Sequence, residues 1–269
     1  MDWSRIKTIF ILSFFVLNIY LMNEFLKIRT ATKYEYATNP TLENRLKADE
    51  ITYNELPKNF EKDKYLSTVP RVFIEEEVAK LLDTTLSGQT IIIRNNQTID
   101  SKLGTPLKVS SKGQPSELDA FLKGSVINGD QYRYWGRDDN ENSIIYYQQY
   151  EEKLFYKNLS GQIKFYLNSD NEVVSYEQTL LDKIEELTED ERIIQPIKAL
   201  ETLYENGHLP YGTKIEKVEF GYYTHVRLTS SQVLTPAWRF VLDEGENLFV
   251  NAFEGQVIQL KDEENNWSE

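Results

Sequence analysis

The chain is 269 residues long, with 30 Lys and Arg against 43 Asp and Glu, a net charge of −13 and no cysteine. So acidic a surface repels phosphate backbones and anionic headgroups, which excludes nucleic-acid binding as a working function. The missing cysteine excludes disulfides, thiolate metal sites and a thiol nucleophile.

Read from the N-terminus, an uncharged apolar run from Thr8 to Asn23 stands between Arg5/Lys7 and Lys27/Arg29. It is short for a bilayer core, which asks for about 20 helical residues. Trp3, Ile6, Phe25, Leu26 and Ile28 extend it, and Lys7 and Lys27 can snorkel to the two interfaces. A cleaved signal peptide would end in small residues, whereas this run ends Leu21-Met22-Asn23-Glu24 and the next small residue is Ala31. The sequence predicts an uncleaved signal anchor over residues 8–28, behind a cytoplasmic tail of residues 1–7. Basic residues flank both ends, so charge does not orient the span, but the short tail makes N-in the simpler insertion. Residues 1–28 hold three basic and two acidic groups, leaving 27 against 41 in the part outside the membrane. Within the span Asn18 stands out, because a carboxamide in hydrocarbon gains from a neighbouring helix that supplies a donor or acceptor. It can equally be tolerated alone. Asn18, with Phe14, Phe15 and Tyr20, is the predicted contact with a partner span.

Residues 29–47 are polar and aperiodic and read as a juxtamembrane linker or a frayed helical extension. Strand signals follow at 51–53 and 65–73, a helical pattern at 75–82, and a β-branched run at 90–93. Residues 116–126 open on a Ser-Glu cap signal and read as a short helix. Strands at 131–135, 143–150, 162–167 and 173–180, separated by turn clusters, predict an antiparallel meander. After an acidic connector at 185–191, Ile193, Ile197, Leu200 and Tyr204 recur at helical spacing, with Pro196 tolerable in the first turn and Asn206-Gly207 as the stop. Strands at 215–223, 237–242, 248–251 and 257–260 complete the chain. The expected fold class is α+β: a transmembrane helix, then two lobes, 48–184 and 185–269, each an antiparallel sheet packed with a helix.

Catalytic chemistry is hard to find in this sequence. The two histidines, His208 and His225, belong to no metalloprotease, nucleophile-elbow, P-loop or dinucleotide pattern. Paired carboxylates could in principle hydrolyse glycosides, yet Glu75-Glu76-Glu77, Asp138-Asp139 and Glu189-Asp190-Glu191 all fall in helix starts or turns, as solvated surface does. Arg137–Ser143 lacks the spacing and the distal glutamate of a calcium loop. The sequence thus predicts no enzyme, no cofactor and no metal. Aromatic residues load successive strands, and they read either as cross-strand packing or as a protein interface. Tyr132, Tyr134, Tyr146 and Tyr150 are the interface candidates.

Six stretches carry a family resemblance: MDWSRIKTIFI at 1–11, SYEQT at 175–179, IKALETLY at 197–204, FGYY at 220–223, LTPAWRF at 234–240 and VNAFEG at 250–255. In this order they resemble the YycI (WalI) family, membrane-anchored regulators of Gram-positive bacteria. The middle, roughly 50–150, is similar mainly in pattern. The resemblance implies an N-in, C-out protein between membrane and wall. It also implies association with a sister protein, YycH, and with the sensor kinase WalK, which with its regulator WalR controls cell-wall metabolism. In that family the span takes part in contacting the kinase. The Pro-Ala-Trp strand and Asn-Ala-Phe-x-Gly hairpin look like the close of a PepSY-type module, which implies that Trp238 and Ala252 are core residues. A non-catalytic adaptor is the leading expectation. The alternative is an extracytoplasmic sensor whose inter-lobe cleft captures a wall fragment, lipid or peptide; a wall-processing enzyme comes last.

Overall fold

No glycine or proline interrupts residues 3–38, and Trp3–Thr38 form one continuous helix, α1, in the computed structural model. The structure describes residues 3–38, 41–58, 60–110, 113–227, 231–243 and 245–259. Phe10–Lys27 are long and apolar enough to cross a membrane, and none of that window is buried in the protein. The helix continues past Ile28 into the segment read as linker, in line with the helical extension. A short helix α2 (Leu42–Ala48) follows, capped by Thr41, whose Oγ1 accepts the Asn44 N–H at 3.4 Å. The chain divides into two units, Met1–Glu50 and Ile51–Glu269.

In the second unit β1 (Thr52–Tyr53), β2 (Lys62–Asp63) and β3 (Leu66–Pro70) precede α3 (Glu75–Leu81). The hairpin β4 (Gln89–Arg94) and β5 (Thr98–Lys108) leads to α4 (Ser116–Ser125). Then come β6 (Tyr132–Asp138), β7 (Ser143–Tyr150), β8 (Lys153–Tyr156), β9 (Gln162–Leu167), β10 (Glu172–Gln178), β11 (Leu181–Glu186) and β12 (Glu191–Arg192). Helix α5 (Pro196–Glu205) feeds β13 (Lys214–Arg227), β14 (Gln232–Leu242), β15 (Asn247–Asn251) and β16 (Val257–Ile258). The α+β class and mostly antiparallel pairing hold. Among the described residues, one 14-stranded sheet runs β11-β3-β14-β13-β8-β7-β9-β10-β5-β4, with β1, β6, β15 and β16 off its path, while β2 and β12 pair separately.

The pairing departs from two sequential meanders. β3, from the N-terminal part, lies between β14 and β11, so sheet membership does not follow the division at residue 184. β1 and β8 both pair parallel to β13, joining segments far apart in sequence. The change of partner occurs within β7. Its residues up to Gln148 pair with β6 and β9, while Gln149 and Tyr150 pair with β8.

One wing of the sheet is closed by α3 and α4. Val78, Leu118 and Leu122 join Ile99, Leu103, Tyr132, Ile144, Tyr146, Ile163, Phe165 and Tyr176 in a single apolar cluster. Its rings meet edge to face: Tyr146 and Phe165 stand 5.7 Å apart, and Phe121 lies 6.1 Å from Tyr176. In the other wing Trp238 and Ala252 are fully buried, as their place in the closing hairpin implied. The Trp238 indole donates to Ile194 O at 2.9 Å, and Ile194 N–H donates to Ala252 O at 2.8 Å, which ties the approach to α5 onto the hairpin.

Buried carboxamides stitch the junction between the wings. Gln148 is fully buried; its Nε2 donates to Leu181 O and its Oε1 accepts Leu181 N–H, both at 2.8 Å. Asn158 Nδ2 donates to Thr224 Oγ1 and Gln232 Oε1, each at 2.8 Å. Each bond satisfies a group that burial would otherwise leave unpaired.

Candidate functional site

On α1, Phe10, Ile11, Phe14, Phe15 and Asn18 line one shallow notch. Spacings of three and four residues put them on one helix face. Asn18 Nδ2 donates to Phe14 O at 2.8 Å, so the carboxamide first bonds along its own helix. That engages one of its two N–H groups. Tyr20 does not join this face: two residues beyond Asn18 it stands about 200° round the helix, outside the notch.

The four candidate tyrosines separate. Tyr132 and Tyr146 belong to the core, at 6% and 0% exposure, which corrects their reading as interface residues. Alternation along β6 and β7 turns them inward beneath α4, and burial pushes both phenols well above their ordinary pKa. Tyr132 OH donates to Thr179 O and accepts from Gln178 Nε2. Tyr134 and Tyr150 stay half-buried. Tyr134 packs against the helix-covered core, Tyr150 against a separate cluster of Leu66, Phe155, Leu181, Tyr222 and Leu234, so they do not form one patch.

The β6–β7 and β14–β15 hairpins flank a cleft of about 860 Å³ that sequence reasoning missed. Trp135, Arg137, Lys157, Lys164 and Arg239 line it, with Asp138 and Asp139 at the rim turn. The Arg239 guanidinium sits over Trp135, its Cζ 3.8 Å from a ring centroid. Its Nη1 donates to Glu219 Oε2 at 2.7 Å and its Nε to Asn247 Oδ1 at 2.7 Å. Glu219 also meets Lys217 at 2.7 Å and Arg133 at 3.8 Å, so three cations surround one carboxylate. Burial opposes ionisation of Glu219, yet the Lys217 hydrogen bond and the charges of Arg239, Lys217 and Arg133 hold its carboxyl below the ordinary range. These residues come from four separate hairpins and strands. On an acidic chain only their local reversal of charge could have marked them.

His208 follows the stop of α5, where its N–H bonds Leu203 O at 3.0 Å; the side chain of His225 lies outside the described residues. Asp138 Oδ1 accepts the N–H groups of Asn140 at 2.9 Å and Glu141 at 3.3 Å, so this turn folds around its own aspartate. Among the described residues no group of three or more His, Asp or Glu is arranged to hold a metal ion.

A family model described as "YycI protein" matches residues 32–253. The chain belongs to the YycI family. YycI proteins are regulatory and non-catalytic components of the WalK pathway, and the apolar N-terminal helix suits a single-pass member of such a family. No curated protein matches this YycI chain. Among solved structures, an uncharacterized protein from Eubacterium rectale ATCC 33656 is 10% identical, with a TM-score of 0.48, covering 79% of this chain and 92% of that one. The Bacillus megaterium YpeB C-terminal domain is 14% identical, with a TM-score of 0.41, covering 71% and 100%. Both scores fall below 0.5, too low to carry an argument.

Proposed function

We propose that this protein is a membrane-anchored, non-catalytic adaptor. Its N-terminus is cytoplasmic and its β-rich unit, read as two PepSY-like lobes, lies outside the membrane. It associates with a YycH-like sister protein and shifts a WalK-like sensor histidine kinase between signalling states, thereby controlling cell-wall metabolism. The observation that carries this reading is the notch on α1. A helix with no residue of its apolar window buried in the protein carries Asn18 as the polar member of a shallow notch otherwise lined by Phe10, Ile11, Phe14 and Phe15.

Magnitudes assign the parts. An interhelical hydrogen bond in a bilayer contributes roughly 0.6–2 kcal/mol. Moving a two-state kinase from 1:99 to 99:1 needs about 5.5 kcal/mol of differential binding. Asn18 therefore sets register and partner choice, while packing of Phe14 and Phe15 and the extracytoplasmic contacts supply the rest. Tyr134 and Tyr150, both half-buried, are the aromatics offered to the sister protein; Tyr20 faces lipid.

The test is a crosslinked pull-down of the tagged full chain from native membranes, with Asn18→Leu in parallel. Recovery of a histidine kinase and a second anchored protein, with the kinase reduced several-fold in the variant, is the expected result. Absence of any kinase under efficient crosslinking contradicts the adaptor. A second reading, an extracytoplasmic ligand sensor, is favoured by the cleft beside Trp135.

A further inference from the structure

An open sheet edge offers unpaired N–H and C=O groups to any extended chain, and proteins guard such edges with charged side chains, proline, bulges or short strands. Two stretches of edge in this sheet carry those guards. β11, at one end of the sheet path, reads Leu-Asp-Lys-Ile-Glu-Glu. Its register to β3 shifts between Asp182 and Glu185, around a left-handed Lys183. β5 runs on past Leu103, the last of its residues that β4 pairs, and there it carries Pro106 and Lys108.

β4, at the opposite end of the path, is built differently. Among the described residues it pairs only with β5, one to one from Gln89 with Leu103 to Arg94 with Thr98, and without a register shift. Every second residue therefore directs both its N–H and its C=O to the open side. Its centre is Ile91-Ile92-Ile93, and its 6 residues include no proline, glycine or lysine. Ile91 and Ile93 pack with Leu81 of α3 against the core, whereas Ile92 is 62% exposed. Arg94, the one charge, is folded back: its Nη2 donates to Asp100 Oδ1 and Glu177 Oε1, both at 2.8 Å. It serves those carboxylates and leaves the edge unguarded.

Charge selects the occupant. The chain carries a net charge of −13, so two copies repel one another on approach. On and just after α3, exposed Glu75, Glu76, Glu77 and Asp83 outnumber Lys80. On the sheet the two carboxylates of Arg94 leave Lys102, opposite Thr90, as the remaining cation. A segment bearing lysine or arginine is drawn to such an edge, and a second acidic copy is not.

We propose that β4 is a strand-addition site. An extended segment of another protein, apolar at alternate positions and flanked by Lys or Arg, pairs with Gln89–Arg94 and lengthens the sheet by one strand. This goes beyond the kinase contact on α1 and does not depend on it.

The experiment uses the full chain in phosphatidylcholine nanodiscs and a labelled short peptide that alternates valine and threonine between lysine ends, read by fluorescence anisotropy. One twin carries glutamate ends, and another has its internal amides N-methylated. Saturable binding of the lysine peptide is expected, roughly tenfold tighter than of the glutamate twin, lost on N-methylation, with amide exchange slowed at alternate residues of β4. Ile92→Lys weakens it several-fold with an unchanged melting temperature, whereas Ile197→Lys, at an exposed position on α5, leaves it intact. Equal binding of the glutamate twin overturns the basic partner. Binding that survives N-methylation, ignores Ile92→Lys or leaves exchange in β4 unchanged overturns strand addition, and so does no binding of any peptide. Self-association in sedimentation that Ile92→Lys abolishes gives the edge to a second copy and overturns a foreign segment. None of these outcomes bears on the kinase pull-down, which stands or falls by itself.

Discussion

The two wings of the sheet are sealed by different chemistry. Under α3 and α4 the core is apolar and aromatic, with Tyr146 edge to face on Phe165 and Tyr176 tilted against it, and the ion pairs of Arg94 with Asp100 and Glu177 stay on the surface. In the wing around β13 charges go inside. Asp63, 4% exposed, accepts from Lys153 Nζ at 2.8 Å and Tyr222 OH at 2.7 Å, and Glu219 holds Arg239. The first wing pairs mostly hairpin neighbours. The second joins β2, β8 and β13, three segments far apart in sequence, where the Asp63 network sits. Hydrophobic burial alone tolerates alternative pairings of such strands; a desolvated carboxylate with two specific donors does not.

The largest test of this contrast is Asp63→Ala. It leaves Lys153 and the Tyr222 hydroxyl without their acceptor, and a loss of about 3–5 kcal/mol is expected in denaturant unfolding. Replacing the whole network, as Asp63→Leu with Lys153→Met and Tyr222→Phe, restores most of that stability if desolvation dominates; an equal loss in single and triple variants breaks the account.

Next in size is the junction. Gln148→Leu strands both the N–H and the C=O of Leu181, at a cost of roughly 1–3 kcal/mol. Gln148→Glu keeps the acceptor but places a carboxyl with no cationic partner at a fully buried position, so a loss at neutral pH at least as large as that of Gln148→Leu, shrinking as pH falls, sharpens the assignment. Thermal melts of the two variants beside the parent chain decide it.

Glu219 gives the smallest effect, and its sign follows from the direction of its shift. Its carboxyl is held below the ordinary value of 4.5, so its stabilisation is complete above that value and is lost as pH falls through its lower folded-state pKa. Glu219→Gln should therefore flatten the acid limb of the stability–pH curve while changing its slope little above pH 6. An unchanged acid limb removes Glu219 as the linked group.

Much of this fold was legible because its signals are local. The unbroken apolar run gave α1, Asn206-Gly207 stopped α5, whose expected start at Ile193 was early because Pro196 takes the first helical position, and turn clusters around β-branched and aromatic runs marked β7 and β9 to the residue. What escaped was non-local or atypical. In β8, Leu154, Phe155 and Tyr156 are all buried and show no alternation, because the strand lies between β7 and a parallel β13. β11 is an acidic edge strand with a left-handed Lys183 at its irregularity. β5 hides behind the three-residue turn Asn95-Asn96-Gln97, whose first two residues take positive φ. Of the candidate sites, the α1 face could be read from residue spacing, whereas the cleft is assembled by tertiary pairing of segments that no local window contains.

The most direct measurement of the central claim is position-by-position photo-crosslinking along α1 in native membranes. A photoreactive residue at Phe14, Phe15 or Asn18 is expected to capture the sensor kinase, and one at Tyr20, on the far side of the helix, is not. Equal capture from all four positions, or capture from Tyr20 alone, would contradict a partner seated on the Asn18 face.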